Sequence, residues 1–173
     1  VPDTPDSDRR KVLKVIAAAG GAVGCGALAI PAVHFLVAPA SGAGGAGRWI
    51  KTVALDALRE GDPKRVDLIS DRRDAWTLEK SVELGAAWLV RKGDAVTAYS
   101  VTCPHLGCAV GRAASGPGFY CPCHDSSFDA GGAKVNGPSP RALDVLDTRV
   151  EEGFVFVSFQ RFRQGIPEKV SVG

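Results

Sequence analysis

The sequence predicts a mainly β protein, an antiparallel β-sandwich head joined through a flexible Gly/Ala linker to one N-terminal transmembrane helix. Three observations carry that prediction. Residues 15–38 contain no Asp, Glu, Lys or Arg. The small residues Ser41-Gly42-Ala43-Gly44-Gly45-Ala46-Gly47 follow them. Beyond these, short apolar or alternating stretches are punctuated by Gly and Pro, the pattern of antiparallel strands rather than helices. With 173 residues, 45% of them hydrophobic, the chain has room for one domain plus an appendage. Its 21 basic and 19 acidic residues nearly cancel, which excludes a nucleic-acid binder driven by bulk charge and a highly charged disordered chain.

Residues 1–14 form a polar tail ending in Arg9, Arg10, Lys11 and Lys14. As a helix, residues 15–38 would extend roughly 36 Å at ~1.5 Å per residue, enough to cross a bilayer core of ~30 Å. A buried soluble helix is disfavoured because the stretch has no polar face. A cleaved signal peptide is disfavoured because the segment is retained in the chain. The basic residues precede the span and none lies between Val15 and Gly47. The positive-inside rule therefore places the tail in the cytoplasm and the head beyond the membrane. Asp8-Arg9-Arg10-Lys11-Val12-Leu13-Lys14 resembles a twin-arginine export signal. That implies a bacterial inner membrane, crossed once, with the head on the periplasmic or outer side. Gly20, Gly21, Gly24 and Gly26 permit close helix approach, Pro31 is a place for a kink, and Cys25 reads as a small packing residue. Residues 39–47 form the hinge, since small residues have high backbone entropy and nothing to pack.

The head, residues 48–173, is long enough for its own core. Candidate strands are 66–69, 77–82, 86–91 and 95–101, with Lys92-Gly93-Asp94 turning the last two. Later candidates are 119–120, 142–146, and the pair 149–150 and 154–159, turned by Glu152-Gly153. A short helical turn is expected around 55–60.

Two cysteine–histidine stretches stand out, Cys103-Pro104-His105-Leu106-Gly107-Cys108 and Cys121-Pro122-Cys123-His124. Each offers a thiolate and an imidazole at short separation, Cys103 with His105 and Cys121 with His124. The intervening chain is long enough for a strand pair that brings the stretches together. Two thiolates and two imidazoles suit tetrahedral zinc, or a [2Fe–2S] cluster with both sulfurs on one iron and both nitrogens on the other. Cys108 and Cys123 remain, one per loop; a disulfide between them would clamp the loops, given an oxidising compartment. The repeated Cys-plus-His pairing argues against two plain disulfides. Pro104, Gly107 and Pro122 suit tight loops whose amides point at cluster sulfurs, and this favours the cluster over zinc with spare thiols.

These two stretches, continued to Ser126, resemble the cluster-binding loops of Rieske iron–sulfur proteins of the quinol–cytochrome c reductase type. Gly137-Pro138-Ser139-Pro140 is similar to that family's proline loop, and the anchor, tether and twin-arginine-like start match as well. The resemblance implies one [2Fe–2S] cluster, with Cys103 and Cys121 on the buried iron and His105 and His124 on the outer iron. It implies a Cys108–Cys123 disulfide and a hydroxyl hydrogen bond from Ser126 to a cluster sulfur. Leu106 with Gly137, Pro138, Ser139 and Pro140 would cover the cluster, and His105 and His124 would be the catalytic contacts to quinol. The implied partners are a cytochrome b subunit, quinol and a c-type cytochrome, with membrane lipid around the anchor and no nucleic acid.

Three positions depart from the family pattern. Pro104 replaces a common Thr, Asp125 a usual Gly, and Phe128 stands where high-potential members place a tyrosine that bonds a cysteine sulfur. A lost donor and an added carboxylate both disfavour the more negative reduced cluster. The expected potential is in the middle or lower part of the range of about −150 to +300 mV, which favours menaquinol over ubiquinol as donor. Two other readings fit parts of the pattern: the small Rieske subunit of an arsenite-oxidase-like molybdenum enzyme, and a membrane-tethered structural zinc module. The proline loop and uncut anchor favour the quinol–cytochrome c reductase type over both.

Overall fold

A computed structural model describes residues 5–41, 47–73 and 77–172, and the chain divides into two compact units, Val1–Ala43 and Gly44–Gly173. The first unit is a single helix, α1, Pro5–Ser41. It starts earlier than the apolar stretch because its first turn suits a helix N-terminus. Pro5 has a preset φ and needs no donor there, and Asp8 lies near the positive end of the helix dipole. Lys11 pairs with Asp8 one turn on, at 3.4 Å. The expected boundary between a polar tail and an anchor is therefore a change of composition within one helix. The helix also continues through Pro31. Its segment Asp8–Leu36 is long and apolar enough to cross a membrane once.

Among the described residues of the second unit the named strands all pair antiparallel, in three sheets. Its strands are β1 (Arg48–Ala54), β2 (Lys64–Arg73), β3 (Leu78–Lys92), β4 (Ala95–Ser100), β5 (Gly111–Arg112), β6 (Gly118–Cys121), β7 (Ser126–Asp129), β8 (Lys134–Asn136), β9 (Val145–Leu146), β10 (Thr148–Glu151) and β11 (Phe154–Phe159). The expected helical turn is a 3-10 turn, Leu55–Ala57. Sheet order is β1-β11-β10, β2-β3-β4-β9 and β5-β6-β7-β8. The first two sheets form the expected sandwich, which serves as a base. Ile50 of β1 and Val155 and Val157 of β11 pack on Val66, Leu68, Ala87, Leu89, Val96, Ala98 and Leu146 of the opposite sheet.

The third sheet is an addition to that sandwich, with a core of its own. β3 and β4 serve both cores because side chains alternate across a strand. Ala87, Leu89 and Ala98 face the base, while Val90 and Tyr99 face a second cluster with Cys103, Val110, Phe119, Cys121, Phe128 and Leu143. Burial on both faces explains why the run Ala86-Ala87-Trp88-Leu89-Val90 shows no polar alternation.

Both expected hairpin turns form. Lys92 pairs with Ala95 around Gly93, and Glu151 pairs with Phe154 around Glu152 and Gly153, each at positive φ. Two expected strands merge into the single long β3, with register shifts against β2 between Leu68 and Ile69 and between Ser70 and Arg72. The stretch expected at 142–146 is strand only at Val145–Leu146, because the Asp144 carbonyl accepts the Ser100 amide outside the ladder. The expected hinge runs over residues 39–47. Residues 42–46 of it lie outside the described residues. Gly47 is already packed on the base: a Cβ there would collide with the Ser158 hydroxyl and lie 2.9 Å from the Phe159 carbonyl oxygen.

Candidate metal centre

Both cysteine–histidine stretches are hairpin loops, and strand pairing fixes where they end. Thr102 bridges Ala109 across the first loop. Inside it the Cys103 amide donates to the Cys108 carbonyl at 2.8 Å, and the Gly107 amide to the Cys103 carbonyl at 3.0 Å. The second loop joins β6 to β7, with Cys121 opposite Ser126. Asp125, just after His124, has φ +57, a left-handed conformation that Asp tolerates better than most side chains. Its carboxylate accepts a 2.5 Å hydrogen bond from the Tyr120 hydroxyl. This contact, which the sequence reading missed, offsets the cost of a non-glycine residue at that turn.

The two loops come together. Cys108 and Cys123 form a disulfide between them, as the resemblance implied. The Cys121 sulfur packs against it, all three sulfurs lying within 4.8 Å of one another. Two of those sulfurs are bonded to each other, so Cys121 is the thiol left for a metal. Cys103 and Cys121 are 1% and 2% exposed, while the rings of His105 and His124 meet edge to face nearer the surface, 4.7 Å between centroids. Leu106 projects beside them, 64% exposed.

Burial pushes the Cys103 thiol above its ordinary pKa, and the Cys121 sulfur next to it adds to the rise; the His105 amide and the Ser126 hydroxyl, both hydrogen-bonded to it, pull the other way. Those two donors favour a thiolate, whereas burial alone disfavours one. A bound metal ion supplies the charge that resolves the conflict.

Behind the second loop, residues 137–140 approach its backbone. Gly137 has φ +89, and a Cβ there would lie 2.5 Å from the Ser126 Cα and 2.6 Å from the Asp125 carbonyl oxygen. Only glycine fits that crossing. Ser139 is fully buried; its amide donates to the Ser126 hydroxyl at 3.1 Å and its own hydroxyl to the Arg141 carbonyl at 2.8 Å. Of the expected cover, Leu106 and Pro138 are exposed at the surface, whereas Ser139 is an internal tie. Phe128 is buried in the cluster that holds both cysteines and carries no hydroxyl to donate.

The donor set fits the expected cofactor. Two adjacent buried thiols have hydrogen-bond donors aimed at one sulfur, and two imidazoles stand side by side on the solvent side. Among the described residues no buried side-chain nitrogen or oxygen lacks a hydrogen-bond partner. Sulfur and nitrogen donors sorted in this way, on two loops clamped by a disulfide, are a donor set of the kind an iron–sulfur protein presents.

A model of the Rieske [2Fe-2S] domain matches residues 48–148. The menaquinol:cytochrome c reductase iron-sulfur subunit of Bacillus subtilis is 31% identical over 156 residues, covering 88% of this chain and 92% of that protein. The cytochrome b6-f complex iron-sulfur subunit 2 of Synechocystis is 34% identical over 155 residues, covering 87% and 83%. The chain belongs to the Rieske [2Fe–2S] family, in its cytochrome bc branch, and its cofactor is one [2Fe–2S] cluster.

Proposed function

We propose that this chain is the electron-carrying subunit of a quinol-oxidising cytochrome bc complex, taking one electron and one proton from quinol and delivering the electron to a c-type cytochrome. The observation that carries the reading is the pair of imidazoles at the surface, with both thiols buried behind them. When bound, the [2Fe–2S] cluster supplies a one-electron centre, held on its inner iron by Cys103 and Cys121 and on its outer iron by His105 and His124.

The protein's own residues do the rest. A ring nitrogen of His105 or His124 not used for ligation accepts a hydrogen bond from the quinol hydroxyl, and then its proton. Leu106 and Pro138 form an apolar collar that keeps water from that hydrogen bond. The Ser126 hydroxyl and the His105 amide hold the Cys103 sulfur, favouring its added negative charge. Asp125 and the missing hydroxyl at Phe128 act in the opposite sense, which favours a low-potential quinol such as menaquinol. The relatives are named as iron–sulfur subunits of a menaquinol:cytochrome c reductase and of a cytochrome b6-f complex, which supports cytochrome b as the membrane partner.

In the proposed arrangement residues 1–14 lie in the cytoplasm and residues 15–38 cross a bacterial inner membrane. Residues 39–47 are the tether, and 48–173 the Rieske domain on the outer side. The test is low-temperature EPR of reduced membranes with and without an inhibitor of the quinol-oxidation site. A Rieske signal that shifts with the inhibitor is expected. A Rieske signal indifferent to a bound inhibitor would overturn the quinol assignment and leave the cluster standing.

A further inference from the structure

After β11 the chain does not leave the base. Phe162 is buried in the base core and bridges Ser171, the Arg163 amide donates to the Val170 carbonyl at 2.9 Å, and the Val172 amide to the Arg161 carbonyl at 2.8 Å. Residues 161–172 thus fold back as a hairpin, and they lie outside the stretch matched by the family domain, 48–148. The bend of the hairpin touches the first ligand loop. The Gly165 amide donates to the Pro104 carbonyl at 2.8 Å, and a Cβ on Gly165 would lie 3.7 Å from the His105 carbonyl oxygen.

One side chain fastens the bend. The Arg141 Nε and Nη2 grip both Asp144 carboxylate oxygens, at 2.9 and 2.8 Å. The remaining donors reach into the hairpin, Nη1 to the Ile166 carbonyl at 2.6 Å and Nη2 to the Arg163 carbonyl at 2.9 Å. The pair is well buried, with side chains 10% and 6% exposed. Arg141 also ends the segment that covers the second loop, since its carbonyl accepts the Ser139 hydroxyl at 2.8 Å. A guanidinium with this many fixed acceptors is a geometric device that a point charge does not reproduce.

We propose that Arg141 is a positioning residue, and that the C-terminal hairpin it locks is a brace under the His105 loop. The inference rests on the reading of His105 as the surface ligand, and it adds how that ligand is held still. Replacing the arginine by a residue that keeps the charge but not the fork should release the bend, and with it the loop, while the base stays folded. Removing the charge alone would strand Asp144 in the interior. Two variants therefore serve, Arg141→Lys and the apolar pair Arg141→Met with Asp144→Leu.

The experiment is hydrogen–deuterium exchange on the full-length, cluster-loaded protein in detergent, with EPR on the same samples. In both variants, exchange should rise roughly tenfold over 161–167 and over 103–108 and stay unchanged over 86–100, the size expected for loss of one or two hydrogen bonds. The reduced EPR signal should broaden at an unchanged iron content. A loosened 161–167 with 103–108 unchanged and a wild-type EPR line would overturn the brace. So would a uniform rise that includes 86–100, which would make the pair a general stabiliser of the fold. A wild-type sample without any Rieske signal would instead refute the reading on which the inference rests.

Discussion

Ser126 holds the second ligand loop in two directions: its hydroxyl is hydrogen-bonded to the Cys103 sulfur and accepts the buried Ser139 amide. Ser126→Ala removes a donor that favours the reduced cluster and leaves the Ser139 amide unpaired, a cost of about 1–3 kcal/mol. A lower midpoint in an EPR-monitored redox titration and a lower melting temperature are expected together. An unchanged midpoint would remove Ser126 from the tuning of the cluster. The tyrosines make a second test, because the chain has only two. Tyr120 is raised above its ordinary pKa first by its hydrogen bond to Asp125, and Tyr99 first by burial and then by the charge of Asp129. A folded-state value above the unfolded one means that the neutral phenol is the stabilising form. That contribution is complete below pH about 10 and is lost as pH rises through the folded value. Alkaline titration of tyrosinate absorbance should show neither tyrosine half-ionised where free tyrosine is. Asp125→Asn should return Tyr120 towards the ordinary value and leave Tyr99 unchanged; a tyrosine that titrates normally in the parent protein would contradict both assignments.

At the scale of elements, the site is a stack of hairpin loops, and its tightest contact is the crossing at Gly137. Gly137→Ala places a methyl 2.5 Å from the Ser126 Cα at φ +89, so the covering segment must lift. A loss of roughly 1–3 kcal/mol from backbone strain alone is expected. Thermal release of the cluster, followed by its visible absorbance, should therefore occur at lower temperature; release at the parent temperature would show that the segment does not hold the loop. The need for glycine here was not legible, because it depends on a backbone from another part of the sequence. The two cysteine–histidine stretches were legible as candidates, since their chemistry is written in the residue types and their spacing. The strands were legible where one face is wet, as in β11, and at the turns around Gly93 and Gly153. β3 read as two pieces because neither of its faces is uniformly polar. β7 and β8 escaped notice because Ser126-Ser127-Phe128-Asp129 and Lys134-Val135-Asn136 are short and mostly polar. β7 pairs with β6 to close the second loop and buries a single apolar side chain, Phe128, while β8 pairs with β7 and buries none. Arg141 and Asp144 gave no sequence signal beyond their spacing, since their partners are carbonyls of the distant hairpin.

For the whole molecule, the composition correctly marked one long apolar N-terminal helix and a mainly β head. Gly47 belongs to the base, so any tether is confined to the residues before it. If the head works by moving, replacing Gly42, Gly44 and Gly45 by proline should slow quinol–cytochrome turnover by roughly an order of magnitude and leave the EPR spectrum unchanged. Unaltered turnover would dispose of the moving head.

The strand order also fixes a sequence of events during synthesis. Among the described residues β1 has β11 as its sole neighbour in its sheet, Arg48 lying opposite Phe159, so the base cannot close until Phe159 has been synthesised. The segment that carries Cys103, His105, Cys121 and His124 lies between β4 and β9 and is translated before that closing strand. All four of these residues are therefore synthesised before the scaffold that aligns them exists. The two cysteine–histidine loops are therefore aligned only once β11 has closed the base.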